Sequence, residues 1–277
     1  MPSPLIWNTD PILFSIGPLA VRWYGFFFAC AFICGMIWMQ YLFRQEAKNA
    51  DHLEPLLYRI MAGVIIGARL GHCLFYDPVF YLSNPLEILK VWEGGLASHG
   101  GIIGLFLALY IHSRKHPATP LPWLADHLMV AGCLGASLIR MGNFFNSELV
   151  GIPTTGSLGV IFTRVDLIPR HPVQLYESIA YAACSFFLFW AWKKGAGNIP
   201  WRLTSLSLIM AASARIFLET LKTQQTAFAL PVHMGQLLSL PFLLCGLALF
   251  LYTRTYKVLP QPPSANHATR SKKKGNR

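Results

Sequence analysis

Charge is scarce in this chain. Only 13% of its 277 residues are Asp, Glu, Lys or Arg, against 54% apolar side chains. An average globular domain carries about 25% charged residues. The shortage excludes a disordered chain, a coiled coil and most soluble enzymes. Paired cysteine motifs are missing too. Cys30, Cys34, Cys73, Cys133, Cys184 and Cys245 are scattered through apolar stretches without a CxxC pair. This argues against a disulfide framework or a structural zinc site and leaves the cysteines as small buried hydrophobes. The first twenty residues hold neither a positive leader region nor an A-x-A site, so no cleaved signal peptide is expected. No GxSxG, HExxH, P-loop or GxGxxG stands in a suitable context. No serine nucleophile or metal cluster is evident, and no cofactor is expected. If the chain is an enzyme, its nucleophile comes from a substrate.

What the chain does have is long apolar runs. Seven can be drawn, at 21–43, 57–76, 94–111, 121–139, 173–192, 203–221 and 234–253. Each approaches the roughly 20 residues that cross a bilayer as a helix. They predict an all-α polytopic membrane protein with seven transmembrane helices. The net charge of +11 would point to nucleic acid on a soluble protein; here topology accounts for it. Fourteen basic residues fall in one set of connections and the tail, five in the other set, and four in or against spans. Lys and Arg accumulate on the cytoplasmic side, which places the N-terminus outside and the C-terminus in the cytoplasm. Residues 1–256 then form a single integral membrane domain. Residues 257–277, with Pro260, Pro262 and Pro263, read as a basic disordered cytoplasmic tail beside anionic headgroups. Residues 1–20 are apolar but broken by Pro4, Pro11 and Pro18, and read as a periplasmic surface segment lying along the membrane. The longest connection, 140–172, holds Gly142, Gly151, Gly156 and Gly159 and a short β-like run at 160–163. It predicts a small periplasmic head between spans 4 and 5. Loops of this length are usually functional.

With that orientation the polar residues gather at one depth. Tyr24, Arg69, His99, Arg140, Asn143, Asn146, Arg170, His171, Gln174, Glu177, Arg215, Glu219, His233 and Gln236 all reach the outer leaflet, while the cytoplasmic halves are nearly pure Leu, Phe, Ala and Ile. Polar groups in lipid are costly and are functional by default; otherwise they pair with one another to hold the bundle. Asp126 reads as such a structural group, and for Glu177 both readings stand. Three or four arginines facing one cavity exceed what Glu177, Glu219 and Glu148 neutralise, so an anion is expected. In the outer leaflet that anion is a phospholipid phosphate, which Arg binds through a planar donor fork. Ser98-His99-Gly100-Gly101 adds a titrating base beside two glycines that let a helix or a ligand approach closely. Arg215 and Glu219 stand four apart and share a helix face. Either they form an ion pair that keeps register, or Glu219 orients the guanidinium toward a phosphate.

At these residues the chain resembles the prolipoprotein diacylglyceryl transferases of bacterial inner membranes. The resemblance runs through Ser15–Pro18, Trp23-Tyr24-Gly25, Gly67–Gly71 with Leu74–Tyr76, and Trp92–Gly101. It continues through Arg140–Gly151, Arg170–Glu177, Arg215 with Glu219, and Met234–Pro241. Eight stretches in order over about 225 residues are specific where each alone is weak. The resemblance implies transfer of the diacylglyceryl group of phosphatidylglycerol to the lipobox cysteine of a preprolipoprotein, with a thioether formed and glycerol-1-phosphate released. It implies His99 or Tyr24 for the proton and Arg140 with Arg215 for the phosphate. Asn143, Asn146, Glu148, Gly151 and Glu219 would bind the lipid headgroup, supported by Arg69, Gly100, Gly101, Arg170, Gln174, Glu177 and Gln236. The partners implied are phosphatidylglycerol, preprolipoprotein signal peptides and membrane lipid, with no metal and no nucleic acid. The chain departs from the family at Thr220-Leu221-Lys222, where Arg and then Pro-Asp usually follow Glu219. It departs again at Ser147, often Gly, at His72, usually aromatic, and at Ala68, usually Gly. Its loop between spans 4 and 5 is short for the family, which predicts a reduced head. The competing reading is a transporter of a small organic anion. That function needs a polar path to both sides, and the cytoplasmic halves lack one.

Overall fold

The computed structural model describes residues 4–17, 19–91, 95, 97–223 and 233–255. Eight α-helices are present among them: α1 (Trp23–Gln45), α2 (Leu53–Phe75), the short α3 (Pro78–Ser83), α4 (Ser98–Lys115), α5 (Leu121–Phe145), α6 (Val173–Lys193), α7 (Arg202–Glu219) and α8 (Met234–Thr253). The seven long helices fall on the seven apolar stretches. Among the described residues, four segments are long and apolar enough to cross a membrane by length and composition: Trp23–Gln45, Ala50–Phe75, Leu121–Phe145 and Met234–Thr253. Large apolar side chains such as Phe75, Phe186 and Phe217 lie 81%, 74% and 70% exposed. Water would penalise faces of this kind and lipid does not. The protein is a mostly helical, polytopic membrane protein.

Mostly helical corrects the all-α expectation. Five short strands are present among the described residues: β1 (Leu5–Trp7), β2 (Ile12–Ile16), β3 (Leu19–Arg22), β4 (Val160–Phe162) and β5 (Pro169–Arg170). β2 and β3 form an antiparallel hairpin, and the other three form a sheet in the order β1-β4-β5. Leu5 to Trp7 pair in parallel with Val160 to Phe162. Leu5–Trp7 of the N-terminal segment is therefore a strand of that sheet, and Ile12–Ile16 belongs to the hairpin. The reason is backbone satisfaction: extended chain outside a helix needs partners for its N–H and C=O groups.

The chain divides into two compact units, with the divisions falling inside α1 and α5. One holds the described residues through Trp38 and those from Asp126 onward; the other is Met39–Ala125. In the first, α1 meets α5 through small residues, Gly35 on Ala131 and Gly135 on Ala31. The Trp38 indole donates to the His127 carbonyl at 2.8 Å. Val130, Cys133, Cys184, Leu188 and Leu203 make a buried core between α5, α6 and α7. Asp126 is fully buried and accepts from the backbone and hydroxyl of Thr204, both at 2.7 Å. It thus satisfies an otherwise orphaned amide in the first turn of α7, in keeping with a structural role. Trp7, Phe144 and Phe162 pack under the sheet, and Trp23 lies against Phe145 with ring centroids 4.5 Å apart.

In the second unit α2 packs on α4 along a glycine seam. A Cβ added at Gly100 would collide with the Gly67 carbonyl, and one at Gly104 with the Gly63 carbonyl. Backbones this close are the small-residue packing that membrane helices use in place of a hydrophobic driving force. The Trp123 indole donates to Glu46 at 2.7 Å, and Lys48 donates to the Ala118 carbonyl at 2.7 Å.

Candidate active site

The C-terminal end of α5 and the loop after it build most of the polar cluster. Arg140 leaves α5 between two partners. Its Nε lies 3.1 Å from Glu177 Oε2 on α6, and its Nη1 donates to Asn143 Oδ1 at 3.0 Å. Asn143 passes the link on, donating to Glu148 Oε2 at 3.2 Å, while Asn146 donates to Glu148 Oε1 at 3.1 Å. Glu148 is held between two residues in left-handed backbone, Ser147 at φ 57° and Leu149 at φ 56°. Gln174, fully buried at the start of α6, donates to the Glu148 carbonyl. Asn146 Oδ1 and Gln174 Oε1 are buried and accept no hydrogen bond among the described residues.

Tyr24 joins this cluster from α1. It packs on Gly142, whose Cβ position lies 3.0 Å from the Tyr24 ring, and it is within electrostatic reach of Glu148 and Arg140. Arg140 and Arg215 both lie within reach of the Tyr181 hydroxyl on α6. Six of the expected residues, Tyr24, Arg140, Asn143, Asn146, Glu148 and Glu177, are thus tied together, and Gln174 braces the loop that carries Glu148.

The Arg215–Glu219 pairing is not formed. Glu219 Oε2 lies 3.3 Å from Lys222, and Lys222 also reaches Glu177 Oε1 at 2.8 Å. Arg215 has no carboxylate at ion-pair distance among the described residues. Lys222 takes Glu219 because it follows the end of α7 at i,i+3 spacing, where its ammonium bridges that carboxylate and the fully buried one of Glu177. In the sequence Lys222 stands out only as a departure from the family after Glu219, and its i,i+3 spacing from Glu219 is the signal for this pairing.

The expected excess of arginine is also smaller than the count implied. Arg170 makes a forked pair with Asp166, its Nε 3.0 Å from Oδ2, and its Nη1 donates to the Gly151 carbonyl at 3.1 Å. Those hydrogen bonds hold the Asp166 carboxyl below the usual carboxylate range and push Arg170 up. Gly151 itself is a backbone junction. Its N–H donates to the His171 carbonyl at 3.0 Å, and its carbonyl accepts from Thr223 at 3.0 Å. Gln236 donates to the Ile216 carbonyl at 3.1 Å and accepts from the His233 amide, fixing the start of α8 beside α7.

Arg69, His99, Gly100 and Gly101 belong to the second unit. Arg69 is buried and donates to the carbonyls of Glu87, Ile88 and Gly95, with its guanidinium 5.1 Å from the Tyr81 ring centre. It ties the segment after α3 to α2. His99 is the second residue of α4 and is exposed. Gly100 serves the α2–α4 seam, whereas a Cβ at Gly101 would meet only ordinary contacts. Among the described residues no group of His, Cys, Asp and Glu could hold a metal ion.

Comparison with known proteins adds a family. The family described as prolipoprotein diacylglyceryl transferase matches residues 11–252. A phosphatidylglycerol–prolipoprotein diacylglyceryl transferase of Chloroherpeton thalassium is 49% identical over 250 residues, covering 89% of this chain and 93% of its own length. Another, of Tolumonas auensis, is 45% identical over 255 residues, covering 91% and 99%. One of Porphyromonas gingivalis is 36% identical over 269 residues, covering 91% and 95%.

Proposed function

The chain belongs to the prolipoprotein diacylglyceryl transferase family, and from that premise we propose that it transfers the diacylglyceryl group of phosphatidylglycerol to the lipobox cysteine thiol of a preprolipoprotein. The thiol gives up its proton, its sulfur bonds to the glyceryl carbon, and the carbon–oxygen bond to phosphate breaks. A thioether forms and glycerol-1-phosphate leaves with the bonding pair. No protein nucleophile is needed, because the thiolate is the nucleophile.

The observation that carries this reading is the way Arg140 is held. Glu177 and Asn143 fix its Nε and Nη1, while its Nη2 carries no bond among the described residues. Arg215 lacks a carboxylate partner. The open Nη2 of Arg140, beside an Arg215 that meets the Tyr181 hydroxyl and no carboxylate, suits a phosphate that gains charge as the carbon–oxygen bond breaks. The unpaired amide oxygens of Asn146 and Gln174 suit glycerol hydroxyls, which must donate. Glu148 and Glu219 complete the headgroup shell, with Gly151, Arg170 and Gln236 bracing it. Lys222 takes Glu219 and shares Glu177 with Arg140, so positive charge on the two arginines remains for the ligand. Tyr24 stands within reach of Arg140 and Glu148 and can take or relay the thiol proton; His99 is the other candidate.

The same reading places the protein in the bacterial inner membrane with seven spans, the N-terminus outside and the basic C-terminal residues in the cytoplasm. Phosphatidylglycerol, prolipoprotein signal peptides and bulk lipid are its partners. Purified protein, phosphatidylglycerol vesicles and a lipobox peptide test the activity by mass spectrometry. The peptide should gain one diacylglyceryl group on sulfur as glycerol phosphate appears. An unmodified peptide, with a small organic anion accumulating in protein-loaded vesicles, would overturn the reading in favour of transport.

A further inference from the structure

α5 and α6 are joined by a ladder of side-chain contacts whose residue numbers fall along one helix as they rise along the other. Arg140 meets Glu177 at 3.1 Å. The Ser137 and Ser178 hydroxyls meet at 2.9 Å. Cys133 and Cys184 bring their sulfurs to 3.4 Å, and Ser185 donates to the Val130 carbonyl at 2.8 Å. The sulfurs are therefore held in register by bonds on either side of them. The Cys133–Cys184 rung lies seven residues along each helix from the Arg140–Glu177 rung, about 10.5 Å at 1.5 Å per residue. Both cysteines are buried, and no step of the proposed reaction uses either thiol.

We propose that Cys133 and Cys184 form an oxidisable dithiol that closes to a disulfide across α5 and α6 when a small peroxide reaches it. Three features support this. The sulfurs are already in contact, and a bond length of about 2.0 Å needs only a short approach that two χ1 rotations can share. Ser207 Oγ on α7 lies 3.3 Å from the Cys133 sulfur and is able to donate to it as its proton leaves. An apolar cleft of about 480 Å³, lined by Cys34, Trp38, Val130, Leu134, Ser185 and Phe189, opens beside the ladder; neither sulfur lines it, but it brings an uncharged peroxide up to the Val130–Ser185 rung next to them. The chemistry has two steps. Cys133 thiolate attacks the peroxide, giving a sulfenic acid and hydroxide, which takes up the released proton to become water. Cys184 then attacks the oxidised sulfur, the disulfide forms, and a second water leaves. Among the described residues no other two sulfurs are in contact, so Cys30, Cys34, Cys73 and Cys245 serve as internal references.

The test uses the full chain in native membranes. It is exposed to hydrogen peroxide, blocked with N-ethylmaleimide under denaturing conditions and digested without reduction. The expected product is one cross-linked peptide pair joining positions 133 and 184, lighter than the free peptides by two hydrogen atoms. Dithiothreitol should restore both thiols, and the four reference cysteines should remain alkylated. Cys133→Ser and Cys184→Ser should each remove the pair. Should one variant fail to accumulate, the other and the wild-type digest still decide the matter. Full alkylation of both cysteines after peroxide treatment, or oxidation that stops at sulfenic or sulfinic acid without a cross-link, overturns the proposal.

Discussion

Glu148 owes its direction to two strained neighbours. Ser147 and Leu149 both sit in the left-handed region, where a side chain costs about 1–2 kcal/mol and glycine costs nothing comparable. Such strain is characteristic of sites where a side chain must be aimed. Ser147 stands where the resembled family often has glycine, and the positive φ supplies the physical reason. Ser147→Gly should therefore raise unfolding free energy by about 1 kcal/mol in thermal denaturation and leave transfer unchanged; a lowered melting temperature would show that the buried hydroxyl does more than the backbone requires. Arg215 makes a sharper case. Arg215→Lys keeps the charge but loses the planar fork. Since Glu219 pairs with Lys222, no internal ion pair depends on the guanidinium. The variant should accumulate normally and lose about 10²–10³ in kcat, the scale of one lost oxyanion donor. Full activity at normal protein level removes Arg215 from the phosphate clamp. For the proton, His99→Gln and Tyr24→Phe are to be compared side by side. The true base should cost about 10²–10⁴ in rate, and the variant that keeps near-normal turnover clears its residue.

At the level of elements, the head between α5 and α6 depends on the Asp166–Arg170 fork. Asp166 is lowered from its ordinary value mainly by the Arg170 hydrogen bonds. A depressed folded pKa gives stability that is fully present above the unfolded value, about 3.9, and is lost as pH falls through the folded one. Proteolytic nicking of the 146–172 loop should therefore be flat from about pH 7 to 5 and rise below about pH 4. Asp166→Asn should nick faster at neutral pH with that acid step removed; an unaltered acid step would assign it to another carboxylate. The strand at 160–163 was readable from its own residues. Its partner Leu5–Trp7 was not, because a parallel pairing across some 155 positions leaves no local trace in either segment. The hydrophobic runs likewise marked the seven long helices, although only four segments among the described residues are apolar enough to be seen by composition and length alone. Which cation takes which carboxylate was hidden, since Lys222 and Glu177 meet only after α6 and α7 have packed. The glycine seam lies between these cases: Gly67, Gly71 and Gly100 stood out in the sequence, but only packing shows that Gly100 lies against the Gly67 carbonyl of α2.

For the molecule as a whole, orientation decides whether the polar cluster can meet its substrates. Phosphatidylglycerol headgroups and exported signal peptides present themselves on the outer side of the inner membrane. The proposed orientation opens the cluster there. Its warrant is charge: in a seven-span order fourteen basic residues fall in one set of connections and the tail and five in the other, the asymmetry that sets topology in multi-pass proteins. It agrees with the chemistry of the helix ends. α4 finishes with Arg114 and Lys115 and α6 with Lys193, whereas the Arg140–Asn143–Glu148 chain sits at the end of α5, which runs the opposite way to each of them in a seven-span order. Reporter fusions at Lys115 and Lys194 should read cytoplasmic, and fusions at Ile152 and Thr223 periplasmic. Thr223 is the demanding position, because its hydroxyl donates to the Gly151 carbonyl, so both junctions must report the same side. A periplasmic signal at Lys194 would turn α6 over, carry Glu177 and its partners Arg140 and Lys222 to the cytoplasmic leaflet, and leave the site without access to an exported thiol.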